Sequence, residues 1–265
     1  MFTAVPGDVA KRAMAGSRFA DVRWVAETGS TNADLLALAR DGGPEGVVLV
    51  ADHQTAGRGR AGRSFVAPPG ASLLVSVLLR PPPKVAGLSS MAIALAAADA
   101  VDELAGFRPR LKWPNDLVWP GDGTAVDRKL AGILAEAHWP SDREVAVVLG
   151  IGINVSWPAE LPDDLRDIAI AINHISGRDV DREQLLVRML QRLDDRYYEA
   201  LCDGTIVAAW RDASATIGRR VRVDLGSETI EGVATDVTSE GHLIVGDRTI
   251  AVGDVQHLRV EGTGL

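Results

Sequence analysis

Residues 57–63 read Gly-Arg-Gly-Arg-Ala-Gly-Arg, three arginines set among three glycines. Glycine lets the backbone approach a ligand closely and adopt dihedrals that other residues avoid. Arginine presents a planar fork of donors that fits carboxylate or phosphate oxygens. Together they suit an anion wrapped by the chain, in a loop that orders as the anion arrives. A solvated loop or an RNA-binding segment has the same composition, so this stretch alone leaves the target open. Composition narrows it. The 265 residues carry 28 basic and 36 acidic side chains, a net charge of −8, whereas binding nucleic acid through bulk charge calls for a basic domain. Only Phe65 among the aromatics is near the loop, and single-strand binding by stacking needs several. The positive charge is local, and so is its target.

Three further stretches hold residues that core-building does not require. Lys112, Asn115 and Asp116 stand in KWPND, Lys129 near the start of RKLAGIL, and Asn154 near the end of GIGINV. Each has an ordinary reading: Pro-Asn-Asp is turn chemistry, a strand-end lysine snorkels, and asparagine forms turns. What they share is a position at the end of a predicted strand, where α/β ligand sites gather. No covalent nucleophile stands out. Cys202, the single cysteine, is far from these motifs and is expected to be a buried thiol on a helix; it excludes an intrachain disulfide and fits a reducing compartment. The five histidines form no Ser–His–Asp pattern, and strand alternation sends His53 to the face opposite Gln54.

The elements that position these residues follow from periodicity. Ser30, Thr31 or Asn32 caps a helix with Leu35, Leu36, Leu38 and Ala39 on its apolar face. GVVLVADHQ (46–54) and SLLVSVLLR (72–80) read as buried strands, the second stopped by prolines 81–83. Residues 87–105, apolar nearly all round, predict a central buried helix. RLKWPNDLVW is a strand broken by Pro114, GDGTAVDR (121–128) a polar hairpin-like loop, and KLAGILAEAHW and EVAVVLGIGINV two strands of one sheet. Leu186, Met189, Leu190, Leu193 and Tyr197 mark an amphipathic helix. After Thr216, short alternating strands separated by Gly, Asp and Ser predict a small β-barrel. No apolar run has the ~18 residues of a membrane span and the first residues lack a signal-peptide core, so a cytoplasmic protein is expected.

STN (30–32), HQTAGRGRAGR (53–63), KWPND (112–116), RKLAGIL (128–134) and GIGINV (150–155) occur in the order found in biotin–protein ligases. The resemblance spans roughly residues 28–155, and the small C-terminal β-domain is similar to that family's as well. It implies an α+β fold, the mixed sheet with packed helices of class II aminoacyl-tRNA synthetases and biotin/lipoate ligases, over residues 1–215, then an SH3-like β-barrel over 216–265. It implies an ATP-dependent ligase. Biotin's carboxylate attacks the α-phosphate of ATP to give biotinyl-adenylate and pyrophosphate. A lysine of a biotin carboxyl carrier domain, from an acetyl-CoA, acyl-CoA or pyruvate carboxylase, then takes the biotinyl group and expels AMP.

The resemblance also assigns roles. Arg58, Lys112 and Lys129 are the catalytic cations. Ser30, Thr31, Asn32, Gln54, Arg58, Gly59, Arg60 and Lys129 hold biotin. Arg58, Arg60, Asn115, Lys129 and Asn154 hold the nucleotide, and Asp116 holds magnesium that arrives with ATP as a substrate complex. No tightly bound prosthetic group is expected. Apart from the resemblance, Trp157, which follows GINVS, is expected to cover the adenine in the bound state. Such a site stabilises charge as the phosphate becomes five-coordinate, while the closed loop keeps water from the acyl-adenylate. Only about twenty residues precede the first motif, too few for a helix-turn-helix. The expectation is therefore a monofunctional enzyme, a monomer or weak dimer, with no DNA and no membrane partner. Lipoate–protein ligase is the nearest rival.

Overall fold

A computed structural model describes residues 6–120, 127–141, 144–202 and 205–258. The polar loop expected over 121–128 lies, but for its last two residues, outside the described residues. In chain order the elements are α1 (Asp8–Ala13), β1 (Val22–Thr28), α2 (Thr31–Arg40), β2 (Val48–Gln54), β3 (Ser72–Leu79) and α3 (Ser89–Ala105). Then come β4 (Arg110–Lys112), β5 (Asp116–Trp119), β6 (Arg128–Ser141), β7 (Glu144–Asn154), α4 (Asp163–Arg166), α5 (Ile172–Ser176), α6 (Arg182–Cys202) and α7 (Thr205–Ala213). The C-terminal part holds β8 (Arg220–Asp224), β9 (Thr229–Val237), β10 (Leu243–Val245), β11 (Arg248–Ile250) and β12 (Asp254–His257).

The first seven strands form one mixed sheet, ordered β1-β2-β3-β7-β6-β5-β4. β1 and β2 are parallel and every other neighbour is antiparallel. Alternation assigns the two faces. On β3 and β7, Leu73, Val75, Val77 and Leu79 with Val147, Leu149, Ile151 and Ile153 join the main core with α3 and α6. Leu78, Ala146 and Val148 turn to the other face, against Leu35, Leu36 and Ala39 of α2. The continuous apolar run of β3 thus reflects a strand covered on both sides.

α3 is apolar nearly all round because the sheet lies on one side of it and α6 on the other. The helical run Pro83–Ala105 has the length and composition of a membrane span, yet 67% of its most apolar stretch is buried inside the protein. α6 buries Leu186, Met189, Leu190, Leu193 and Tyr197, as its periodicity predicts. Cys202 departs from expectation and is exposed. It lies five residues beyond Tyr197, about 140° round the helix from the apolar stripe.

β8–β12 form an antiparallel sheet ordered β11-β10-β9-β8-β12. Their inward residues Val221, Val223, Ala234, Val237, Leu243 and Val245 are buried and continuous with the main core. The sheet is therefore packed onto the larger body, not strung from it.

Candidate active site

A cavity of about 380 Å³ opens where β2, β6 and β7 meet the start of α2, the Gly/Arg loop, the β4–β5 turn and β12. Glycine makes the room. Ala146 and Val148 of β7 face α2, and the same alternation brings Gly150 and Gly152 to that face farther along. A Cβ on Gly150 would stand 2.2 Å from Asn32 Oδ1, and one on Gly152 would stand 2.5 Å from the Phe65 ring. Gly132 of β6, paired with Gly152, would meet Lys129 Nζ at 2.8 Å. Any side chain at these three positions would fill the floor.

One end of the cavity is a neutral hydrogen-bonding cluster. Ser30 caps α2 by accepting from Ala33 N–H at 3.5 Å, which places Thr31 and Asn32 in its first turn. Gln54 Oε1 accepts from the Thr31 backbone N–H (2.8 Å) and hydroxyl (3.0 Å). Ser76, the lone polar residue in the middle of β3, stands 2.7 Å from Thr31 Oγ1 and 2.6 Å from Asn32 Oδ1. Asn32 Nδ2 donates to Leu134 O (3.1 Å) and Glu136 (2.9 Å). Thr31, Asn32, Gln54 and Ser76 are each oriented by another side chain, so donors and acceptors are preset for a polar ligand group.

The other end is cationic. Lys129 Nζ lies 2.7 Å from Asp116 Oδ1. An odd spacing of three from Gly132 would put Lys129 on the far face of a regular strand. β6 instead bulges there: Ala131 pairs with Leu117 and Lys129 with Val118, so two steps on β6 match one on β5. The extra residue returns Lys129 to the cavity. Lys112 pairs with Asp116 across the β4–β5 turn. Burial pulls its ammonium below the ordinary lysine range, with Asp116 and Asp127 offsetting part of that effect. Burial likewise lowers Arg60 from the usual arginine value. Five cations (Arg58, Arg60, Arg63, Lys112, Lys129) line the cavity against two carboxylates (Asp116, Asp254), so an acidic protein presents a site for an anion.

The Gly/Arg loop folds on itself. Gly59 N–H donates to Arg63 O (2.6 Å), Phe65 N–H donates to Gly57 O (3.0 Å), and Ala61 sits in the left-handed region at φ 53°. Its arginines are spread over three partners: Arg58 on Glu136 (3.1 Å), Arg60 near Asn115 Oδ1 (3.5 Å) and Arg63 on Asp254 (2.8 Å). Arg58 therefore stands at the neutral end, sharing Glu136 with Asn32, and Arg60 at the cationic end.

Most sequence-predicted site residues meet here: Ser30, Thr31, Asn32, Gln54, Arg58, Gly59, Arg60, Lys112, Asn115, Asp116 and Lys129 all line the cavity. Asn115 is pinned to β6 by its Nδ2 donating to Ile133 O (2.8 Å). Asn154 is placed beside the cavity and is buried, its Nδ2 donating to Ile170 O (3.0 Å) and Lys129 O (3.4 Å). Trp157 does not stand over the site. It is buried with Ala169 and Ala171, and its Nε1 donates to Ser72 Oγ at 2.9 Å, because a short apolar cluster under the 155–171 connection captures the ring. His53 bonds Glu27 at 3.1 Å, outside the lining. The sequence reading missed Phe65, Ser76, Glu136 and the three floor glycines. The lone serine in an apolar strand and the glycines at alternate positions 150 and 152 of β7 were the available signals. Asp254, Val255 and Gln256 also line the cavity, delivered by packing that no local pattern announces.

Comparison with known proteins gives this arrangement a family. Residues 28–154 match the Biotin/lipoate A/B protein ligase family, and residues 216–258 match the Biotin protein ligase C terminal domain. The biotin--[acetyl-CoA-carboxylase] ligase of Mycobacterium tuberculosis is 41% identical over 258 residues, covering 92% of each chain. The bifunctional ligase/repressor BirA of Bacillus subtilis is 34% identical over 221 residues, 82% of this chain and 66% of that one. Among solved structures, the biotin protein ligase of Aquifex aeolicus in complex with biotin and ATP superposes with a TM-score of 0.74 at 27% identity, over 91% of this chain and 100% of that one. With 41% identity across 92% of its length and separate family matches for its two parts, this chain belongs to the biotin protein ligases.

Proposed function

We propose that the cavity binds biotin and ATP, joins them as biotinyl-adenylate, and passes the biotinyl group to a lysine of a biotin carboxyl carrier domain. The observation that carries this reading is the division of one cavity into a neutral hydrogen-bonding end and a cationic end. Biotin has that same polarity, a neutral ureido head and a carboxylate tail. Thr31, Asn32, Gln54 and Arg58 take the head, with Ser30 fixing the helix start beneath them. Gly59 lets the loop backbone close over the bicyclic ring. Lys129 meets the tail where it joins the α-phosphate, and Arg60 and Lys112 take phosphate charge. The buried Asn154 Oδ1 has no protein partner among the described residues and suits the amino group of adenine.

Asp116 and the substrate's phosphates fit a magnesium ion carried in with ATP, since magnesium keeps few protein ligands. Among the described residues no group of three or more His, Cys, Asp and Glu side chains forms an all-protein metal cage. The acceptor is read as a carboxylase carrier domain, in a reducing, cytoplasmic setting. A mixture of protein, biotin, ATP, magnesium and apo carrier domain tests the reading. One biotinyl group should be added to the carrier lysine, seen by mass spectrometry, and no addition would refute it.

Biotin at a hundred times its dissociation constant should add about 2.7 kcal/mol to stability, raising Tm by roughly 5–10 °C for a chain of this size. Scanning fluorimetry reads this directly, and lipoate at equal concentration should leave Tm unmoved. A second expectation concerns pH. Lys112 acts as a cation, so its contribution is present below its lowered pKa and lost as pH rises through it. The kcat/KM for ATP should therefore fall at a lower pH than an ordinary lysine would give. Lys112→Arg, which stays charged, should move that alkaline limb upward; an unmoved limb would remove Lys112 from the nucleotide step.

A further inference from the structure

The β4–β5 turn that carries Lys112, Asn115 and Asp116 is held from behind by the C-terminal part of the chain. Trp113 N–H donates to Thr216 Oγ1 at 3.0 Å, and Trp113 Nε1 donates to Gly241 O at 3.1 Å. Thr216 is completely buried. Having accepted from Trp113, its hydroxyl still has a proton to give, and His257 Nε2 stands 3.1 Å away. His257 Nδ1 stands 2.7 Å from Asp127 Oδ2, and because a carboxylate only accepts, this contact places the imidazole proton on Nδ1 and leaves Nε2 to accept from Thr216. Arg219 Nη1 donates to the same oxygen at 2.8 Å and stands 3.2 Å from His257 Nδ1, so the Asp127 carboxylate is shared by the imidazole and the guanidinium. Burial favours the neutral imidazole that this wiring requires.

The chain of bonds runs in one direction, from Trp113 N–H through Thr216 and His257 to Asp127. Its two ends matter. Trp113 follows Lys112, and Asp127 stands two residues before Lys129. A buried apolar pair would hold the interface as tightly. A directional chain of bonds adds a single allowed register between the two strands it joins.

We propose that Thr216 and His257 are positioning residues for adenylation, fixing the β4–β5 turn against the start of β6 so that Lys112 and Lys129 bear on the same phosphate. The inference rests on the reading of those lysines given above. It also gives the C-terminal sheet a task beyond completing the fold.

Thr216→Val removes the hydroxyl while keeping the shape, and Thr216→Ser restores it. The readouts are kcat for biotin-dependent pyrophosphate release, the KM for ATP, and biotin affinity by calorimetry without ATP. Thr216→Val should slow release about tenfold or more, the penalty expected for a sub-ångström misplacement of catalytic groups. Biotin affinity should fall far less than the rate, because Thr31, Asn32 and Gln54, which hold the head, lie on other elements and only the tail's contact with Lys129 is disturbed. Thr216→Ser should recover most of the rate. If Thr216→Val does not fold, Asp127→Asn carries the same split between rate and biotin affinity. An unchanged rate, a serine variant as slow as the valine one, or biotin affinity falling in step with rate would each overturn the positioning role. Wild-type protein that releases no pyrophosphate with biotin would instead refute the ligase reading itself.

Discussion

Lys129→Ala should reduce biotin-dependent pyrophosphate release by about a thousandfold, with the fold retained. Removing one preorganised charge that stabilises a transition state costs roughly 10²–10³ in rate. Here a second loss adds to it. Lys129 Nζ is 2.7 Å from Asp116 Oδ1, so its removal leaves a carboxylate facing an incoming triphosphate. The side chain is 40% exposed and its stem is not part of the core, so Tm should change little. Arg58→Ala should be milder, on the order of tenfold to a hundredfold, and should appear first as weaker biotin binding, because Arg58 bonds Glu136 at the neutral end. Steady-state kinetics with both substrates varied separates the two variants. Equal loss in both would mean that the division of the cavity into two ends is incorrect.

Gly150→Val should abolish useful biotin binding without unfolding the protein. Strand β7 is central, its backbone at 150 is not in the left-handed region, and valine is a good strand former. The obstacle is local. The new Cβ would stand 2.2 Å from Asn32 Oδ1, and Asn32 has little room to yield because its amide is tied to Leu134 O and Glu136. Displacing it removes a preset partner and fills cavity volume together, a loss on the order of a hundredfold in affinity. Calorimetry measures this, and circular dichroism confirms the fold. Wild-type affinity in Gly150→Val would place the biotin head elsewhere.

Much of this site can be read from residues and spacing because its parts are local. Ser30 caps a helix whose first turn is itself part of the site. Lys112 and Asp116 flank a proline that ends one strand and lets the next begin antiparallel. The glycines at 150 and 152 were missed, although their alternation marks the cavity face of β7 just as locally. Other features of the site depend on non-local geometry. A bulge decides that Lys129 faces the cavity, and it is invisible without the register of β5 against β6. Trp157 looked available because it follows a motif, yet Ser72, far away in sequence, holds it. Cys202 looked buried because its helix is amphipathic, but its angular position is off the stripe. Asp254 and Gln256 reach the cavity only because the C-terminal sheet packs where it does.

ATP–pyrophosphate exchange with biotin and lipoate supplied in parallel tests the central claim most directly. A neutral hydrogen-bonding end built for a ureido group, beside a cationic end built for a phosphate, predicts exchange that depends on biotin and is absent with lipoate. Exchange with lipoate in place of biotin, or exchange with neither, would contradict it.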